Sequence, residues 1–232
     1  MRLYAIGDIH GRADLLADLH ARIVADAARA TEGTALVAIY LGDYVDRGEA
    51  SRAVIDMLID DPLPGFERVH LKGNHEEIML AFLDDPAAAH SWLFNGGDAT
   101  LFSYGVGFEQ ASSREERLLR MRDGLDAALP LGHRAFLDSL KLYHAAGDYL
   151  FVHAGIRPGR KLESQESSDL LWIRDDFLHS GDDHGCCVVH GHTINPDPDV
   201  RPNRIGIDTG AYYTGKLTCL VLEGAGKRLI QT

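Results

Sequence analysis

Two hydrophobic periods alternate through the first third of the chain. Residues 3–6 are short and apolar and stop at Gly7. Across residues 12–29 the spacing changes, with Leu16, Leu19 and Ile23 at i, i+3 and i+7, which predicts an amphipathic helix. Residues 34–41 return to an unbroken apolar run of strand length, stopped by Gly42. Val54, Ile55, Leu58 and Ile59 give a second helix its buried face, with Pro62 and Pro64 as its stop. Residues 68–71 form a third short strand before Gly73. This rhythm implies parallel strands joined by helical crossovers.

Residues 77–145 follow another pattern. Helical spacing dominates at 78–83, 115–125 and 133–140, interrupted by Asn95-Gly96-Gly97 and Tyr104-Gly105-Val106-Gly107. Strand-like runs return at 149–152, 186–189, 204–207 and 217–222. No Ser/Pro/Gly linker separates the two patterns, so the expectation is one α/β domain over residues 1–232 with a helical insertion at about 77–145.

Composition narrows the function classes. The 45% apolar share is that of an ordinary globular protein. The net charge of −12 argues against coating nucleic acid or an anionic membrane. No apolar run approaches the roughly 18–20 residues of a spanning helix. Met1-Arg2 leads straight into the first strand, without a signal peptide. Three cysteines, two of them adjacent at Cys186-Cys187, make no disulfide framework and point to a reducing cytoplasm.

The glycine stops carry the chemistry. They read Gly7-Asp8-Ile9-His10-Gly11, Gly42-Asp43-Tyr44-Val45-Asp46-Arg47-Gly48 and Gly73-Asn74-His75-Glu76, followed later by His153-Ala154-Gly155 and His190-Gly191-His192. Loops at the carboxyl ends of parallel strands line one crevice, so these side chains should converge. Carboxylates and imidazoles gathered at one buried point need a cation. Oxygen and nitrogen donors without thiolate suit Mn²⁺, Fe, Zn²⁺ or Mg²⁺. Two cations about 3.5–4 Å apart serve displacement at phosphorus, and Asp43 on the middle loop is the natural shared carboxylate.

These five blocks, from Asp8 to His192, resemble the phosphoprotein phosphatase family of dinuclear metallophosphoesterases. The resemblance implies an α/β fold, with two mixed β-sheets packed as a sandwich between helices and metals at the strand ends. It implies Asp8, His10 and Asp43 as ligands of one metal, and Asp43, Asn74, His153 and His192 as ligands of the other. Manganese is the metal expected of bacterial members, with Fe and Zn²⁺ suiting the same donors. A hydroxide bridging the metals is the expected nucleophile, attacking phosphorus directly. Arg47 can hold phosphate oxygens in a fork, and Arg174 falls where the family carries a second phosphate-binding arginine. His75, adjacent to Asn74 and so pointing away from it, is the candidate acid for the leaving oxygen, oriented by Asp46.

Blander readings stand beside these. Asp8 and Asp43 could be helix N-caps, and Arg174 could pair with Asp175 and Asp176. His190 should share a strand face with His192, and only the Gly-His-Thr context selects His192; His190 reads as a neighbouring or core residue. Asp208 suits an Asx-turn as well as a place beside the metals. The other seven histidines read as structural or surface. Among substrates, phosphoserine and phosphothreonine of proteins lead, with phosphotyrosine an extension. The rival is symmetrical diadenosine tetraphosphate hydrolysis, whose enzymes more typically carry Asp where this chain has Glu76. A non-catalytic phospho-binding module ranks lowest, because the acid, the arginine and every ligand are present.

Overall fold

The computed structural model describes residues 1–60, 63–107 and 111–232. Pro62, one of the two expected helix stops, lies outside the described residues. Strand β1 (Arg2–Ile6), helix α1 (Ala13–Ala27), strand β2 (Leu36–Tyr40), helix α2 (Ser51–Ile59) and strand β3 (Glu67–His70) realise the expected alternation. Among the described residues five α-helices follow: α3 (Asn74–Asp84), α4 (Ala89–Phe94), α5 (Gly97–Ser103), α6 (Arg114–Ala128) and α7 (Leu131–Asp138). Strands β4 (Tyr143–Ala146) and β5 (Tyr149–Val152) precede helices α8 (Ser167–Trp172) and α9 (Asp175–Leu178). The chain ends with β6 (Cys187–His190), β7 (Asp199–Val200), β8 (Arg204–Gly206), α10 (Ala211–Thr214), β9 (Thr218–Glu223) and β10 (Gly226–Gln231).

The strands form two mixed sheets, ordered β10-β9-β1-β2-β3 and β4-β5-β6-β8-β7. Strands β1, β2 and β3 are parallel to one another, as are β5, β6 and β8. Period-two alternation sorts each strand between layers. Leu3 and Ala5 of β1 join Val37, Ile39, Phe151, Val189 and Ile205 in the core between the sheets. Tyr4 and Ile6 face outward against Leu16, Leu19 and Ile23 of α1 and Val54 and Ile55 of α2. On the far side Leu150, Val152 and Val188 meet Leu170, Ile173 and Phe177. Helices α1 and α2 therefore share one face of their sheet, because the second sheet covers the other.

Three local expectations change. Helix α3 begins at Asn74 rather than near Ile78, because its polar first turn is buried and the Glu76 side chain accepts the Gly73 N–H at 2.8 Å. Strand β4 occupies residues at the end of the stretch read as helical. Its exposure alternates exposed and half-buried without a strong apolar side, so it leaves little hydrophobic period. Ile59, grouped with the buried face of α2, is 39% exposed at the helix end.

Register decides where the loops emerge. Ile6 stands opposite Tyr40, and Tyr40 opposite His70, so β1, β2 and β3 end level with one another. Antiparallel β9 sets Cys219 beside Ile6, bringing the residues before β9 to the same edge. The sheets meet there: the His153 imidazole donates from Nδ1 to the Leu41 carbonyl at 2.9 Å.

Candidate metal centre

Asp43 sits at the centre of the converging loops, 2% exposed. Its Oδ2 lies 3.4 Å from His10 Nε2 and 3.9 Å from His75 Nε2. Its Oδ1 lies 3.4 Å from His153 Nε2 and accepts the His75 backbone N–H at 3.1 Å. Two buried donor groups consequently share this carboxylate, His10–Asp43–His75 and Asp43–His153–His192. Asn74 joins the second, with its Oδ1 2.8 Å from both His153 Nε2 and His192 Nδ1. Neither Asp8 nor Asp43 caps a helix: α1 and α2 have Arg12 and Ala50 at their N-caps.

The donor set fits divalent cations. His10 donates from Nδ1 to the Val45 carbonyl at 2.9 Å, which leaves its Nε2 lone pair toward Asp43. His153 is fixed in the same sense by Leu41, so its Nε2 lone pair meets the Asn74 oxygen, two acceptors with no proton between them. Asp8 Oδ1 and His192 Nε2 are buried without a partner. Burial lowers His10, His153 and His192 from the usual imidazole value, His10 and His192 by a wide margin, which favours the neutral form that ligands must have. Burial alone would raise Asp43, yet the surrounding imidazoles of His153, His75 and His10 hold it ionised, far below the carboxylate range.

Asp8 stands apart from both donor groups. Its Oδ2 accepts the His192 N–H at 2.9 Å, and Gly191 permits that approach, since a Cβ there would lie 1.9 Å from Asp8 Oδ1. Asp208 meets Asp8 as a second buried carboxyl. Burial raises both above the usual range, Asp208 to about 6, and each carboxylate raises Asp8 further. Asp208 satisfies both earlier readings: its Oδ1 accepts the Gly210 N–H at 2.9 Å as an Asx-turn, while its Oδ2 is unpartnered among these carboxyls.

The two arginines reach the centre from opposite sides. Arg47 donates to His10 Nε2 and to His75 Nε2, each at 3.1 Å, and lies 4.9 Å over the Tyr212 ring. Arg174 is exposed and donates to Thr193 Oγ1 at 3.1 Å, next to His192. Its proposed alternative partner Asp176 bonds Arg157 instead, at 2.8 Å. His190 ends β6, and the chain turns at Gly191, so His190 and His192 do not share a face. The His190 ring packs on Phe177, outside both donor groups. As the first two residues of α3, Asn74 and His75 approach Asp43 from different sides, His75 at Oδ2 and Asn74 beside His153.

The chain matches the model of the calcineurin-like phosphoesterase family over residues 1–221. It belongs to that family. Among curated relatives, the asymmetrical bis(5'-nucleosyl)-tetraphosphatase PrpE of Anoxybacillus flavithermus is 29% identical over 78% of this chain and 73% of its own. The protein of the same name from Bacillus mycoides is 24% identical over 95% and 90%. Among solved structures, a provisionally assigned diadenosine tetraphosphatase superposes with a TM-score of 0.65 at 20% identity, covering 99% of this chain and 93% of that one. A cold-active protein tyrosine phosphatase gives 0.64 at 17%, covering 99% and 75%. At such identities these structures establish a shared fold.

Within this phosphoesterase, Glu76 has a structural task. Its carboxylate accepts backbone N–H groups from Asp43 (2.9 Å), Tyr44 (2.7 Å), Val45 (3.2 Å) and Gly73 (2.8 Å). The loop that presents Asp43 is thus tied to the loop that presents Asn74. Burial and the Asp43 charge push Glu76 up to about 7, against these four donors. Glu76→Gln would turn an amide NH₂ toward N–H groups. The expected loss is about 2–3 kcal/mol of stability, read as a lower melting temperature of the metal-free protein. An unchanged melting temperature would contradict this account of the loop.

Sequence reasoning missed the residues around Asp46. His75 donates from Nδ1 to Asp46 Oδ2 at 2.7 Å. Trp92 Nε1 reaches both Asp46 oxygens at 3.0 Å, and Thr100 Oγ1 donates to Oδ1 at 2.7 Å. Ser51 Oγ and Thr100 Oγ1 both accept the Asp46 N–H, at 3.0 and 2.8 Å. Nothing in the local sequence marks Trp92 and Thr100, because their partner lies about fifty residues upstream. Among the described residues, five non-glycine residues take positive φ, and all belong to this centre: His10, Asp43, Asp46, Arg47 and His192.

Proposed function

We propose that this phosphoesterase hydrolyses phosphate monoesters with poor leaving groups, phosphoserine and phosphothreonine of proteins first and phosphotyrosine second. The observation that carries the proposal is the His75–Asp46 pair beside Asp43. Burial opposes a charge on His75, but the carboxylates of Asp43 and Asp46 raise its pKa above the usual imidazole value, and once Arg47 turns to phosphate its Nε2 is open to carry a proton. An alkoxide leaving group needs that proton far more than a nucleotide does.

Asp8, His10 and Asp43 would hold one cation, and Asp43, Asn74, His153 and His192 the other, with manganese the metal proposed. Bound divalent cations acidify water and neutralise phosphoryl charge. Arg47 exchanges its contacts with the two imidazoles for phosphate oxygens, and Arg174 closes from the His192 side. Water that has given up a proton to solvent would bond through its oxygen to phosphorus as the ester P–O bond breaks, the departing oxygen takes the proton from His75 Nε2, and the imidazole regains a proton from solvent.

A second reading has support from the curated relatives, whose printed names make them asymmetrical dinucleoside tetraphosphatases. Asymmetrical, rather than symmetrical, cleavage is therefore the rival. Glu76 no longer counts against it, since its side chain is spent on backbone N–H groups and faces no substrate. Equal amounts of Mn²⁺-loaded enzyme on a phosphoserine peptide and on diadenosine tetraphosphate separate the two. Higher kcat/KM on the peptide supports the first reading. Faster cleavage of the dinucleotide, into mononucleotide and triphosphate, replaces it with the second.

A further inference from the structure

Helices α4 and α5 of the helical insertion make polar contacts with Asp46. Trp92 comes from α4 and Thr100 from α5, on either side of a turn at Gly96. That turn presses on the peptide joining Asp46 and Arg47: the Gly96 carbonyl accepts the Arg47 N–H at 3.1 Å. A Cβ on Gly96 would lie 2.9 Å from the Arg47 nitrogen, so the contact requires glycine there. Asp46 and Arg47 hold φ of 71° and 67°, in the left-handed region, and these contacts keep them there.

Asp46 is held by donors on every side. Thr100 has one hydroxyl proton, and it goes to Asp46 Oδ1. Thr100 Oγ1 in turn accepts the Asp46 N–H, closing a ring between hydroxyl, main chain and carboxylate. Ser51 Oγ shares the Asp46 N–H and lies 3.0 Å from Thr100 Oγ1. The Trp92 N–H spans both carboxylate oxygens, leaving Oδ2 free to accept from His75. Asp46, Ser51 and Thr100 are each fully buried, so water cannot replace a lost member.

We propose that the insertion positions the general acid: Trp92 and Thr100 fix the Asp46 carboxylate, which aims His75 at the leaving oxygen. The inference rests on the reading of His75 as the acid. Loss of either donor lets Asp46 and the imidazole drift, which slows only those steps that depend on proton delivery. Trp92 and Thr100 are positioning residues, since they touch neither substrate nor metal.

The test uses Mn²⁺-loaded enzyme and two aryl phosphates, phenyl phosphate with a poor leaving group and 2,4-dinitrophenyl phosphate with a good one. Thr100→Val, which keeps the volume, should lower kcat on phenyl phosphate by about tenfold and on the dinitrophenyl ester by less than about twofold. Thr100→Ser, which keeps the hydroxyl, should restore the phenyl phosphate rate. If Thr100→Val does not fold, Trp92→Phe is put through the same comparison. Histidine-labelled, metal-free protein gives a readout independent of turnover, in which the His75 Nδ1–H signal should shift in Thr100→Val and return in Thr100→Ser. Equal slowing of both esters, or no slowing of either, overturns the inference provided His75→Asn is itself selective for phenyl phosphate. A His75→Asn variant without that selectivity would overturn the reading of His75 and the inference with it.

Discussion

Asp43→Asn is expected to empty both halves of the centre at once, lowering metal content toward zero and turnover by about three orders of magnitude or more. The expectation comes from its position, since both donor groups use this one carboxylate. His10 and His153 stand 3.4 Å from opposite oxygens of it. An amide supplies one oxygen and no charge, so neither cation keeps its shared anion. Elemental analysis of purified protein reads the metal, and steady-state kinetics read the turnover. A variant that retains two equivalents of metal would remove Asp43 from the bridging role.

The second large effect belongs to His75→Asn. Turnover of esters with poor leaving groups should fall by about 10²- to 10⁴-fold, with metal content unchanged. The outcome on metal matters because His75 Nε2 comes within 3.9 Å of Asp43 and forms a donor group with His10. Geometry alone would admit it as a ligand. Its Nδ1 bond to Asp46 and its raised pKa favour the protonated form, which cannot ligate. Loss of one metal equivalent on substitution would reassign His75 from acid to ligand.

Much of this centre was legible in the sequence because the contributing strands end beside glycines, and Gly7, Gly42, Gly73 and Gly191 each hand the next position to a polar side chain. Level strand ends then bring Asp8, Asp43, Asn74 and His153 to one edge. The sandwich was not legible from periodicity. Residues 36–40 of β2 are buried almost throughout, the same pattern whether a second sheet or a second layer of helices covers them. Strand β10 escaped notice because it is an edge strand with Lys227, Arg228 and other exposed positions, held by pairing to β9 rather than by a buried face. The clamp on Asp46 was invisible for another reason. A tryptophan and a threonine in a helical region read as ordinary core, and only the folded chain shows which acceptor their protons find.

The left-handed backbone at His10, Asp43, Asp46, Arg47 and His192 also bears on how this protein would respond to selection. Each such residue costs about 1–3 kcal/mol relative to relaxed backbone, less for Asp and His, more for Arg. Glycine would relieve that cost at every one of these positions. A library screened for heat resistance alone should therefore enrich glycine at Arg47 early, and the most heat-resistant survivors should be the least active. Screening for both traits together would confine gains to positions away from the strand ends, so the centre limits how far the scaffold can be hardened.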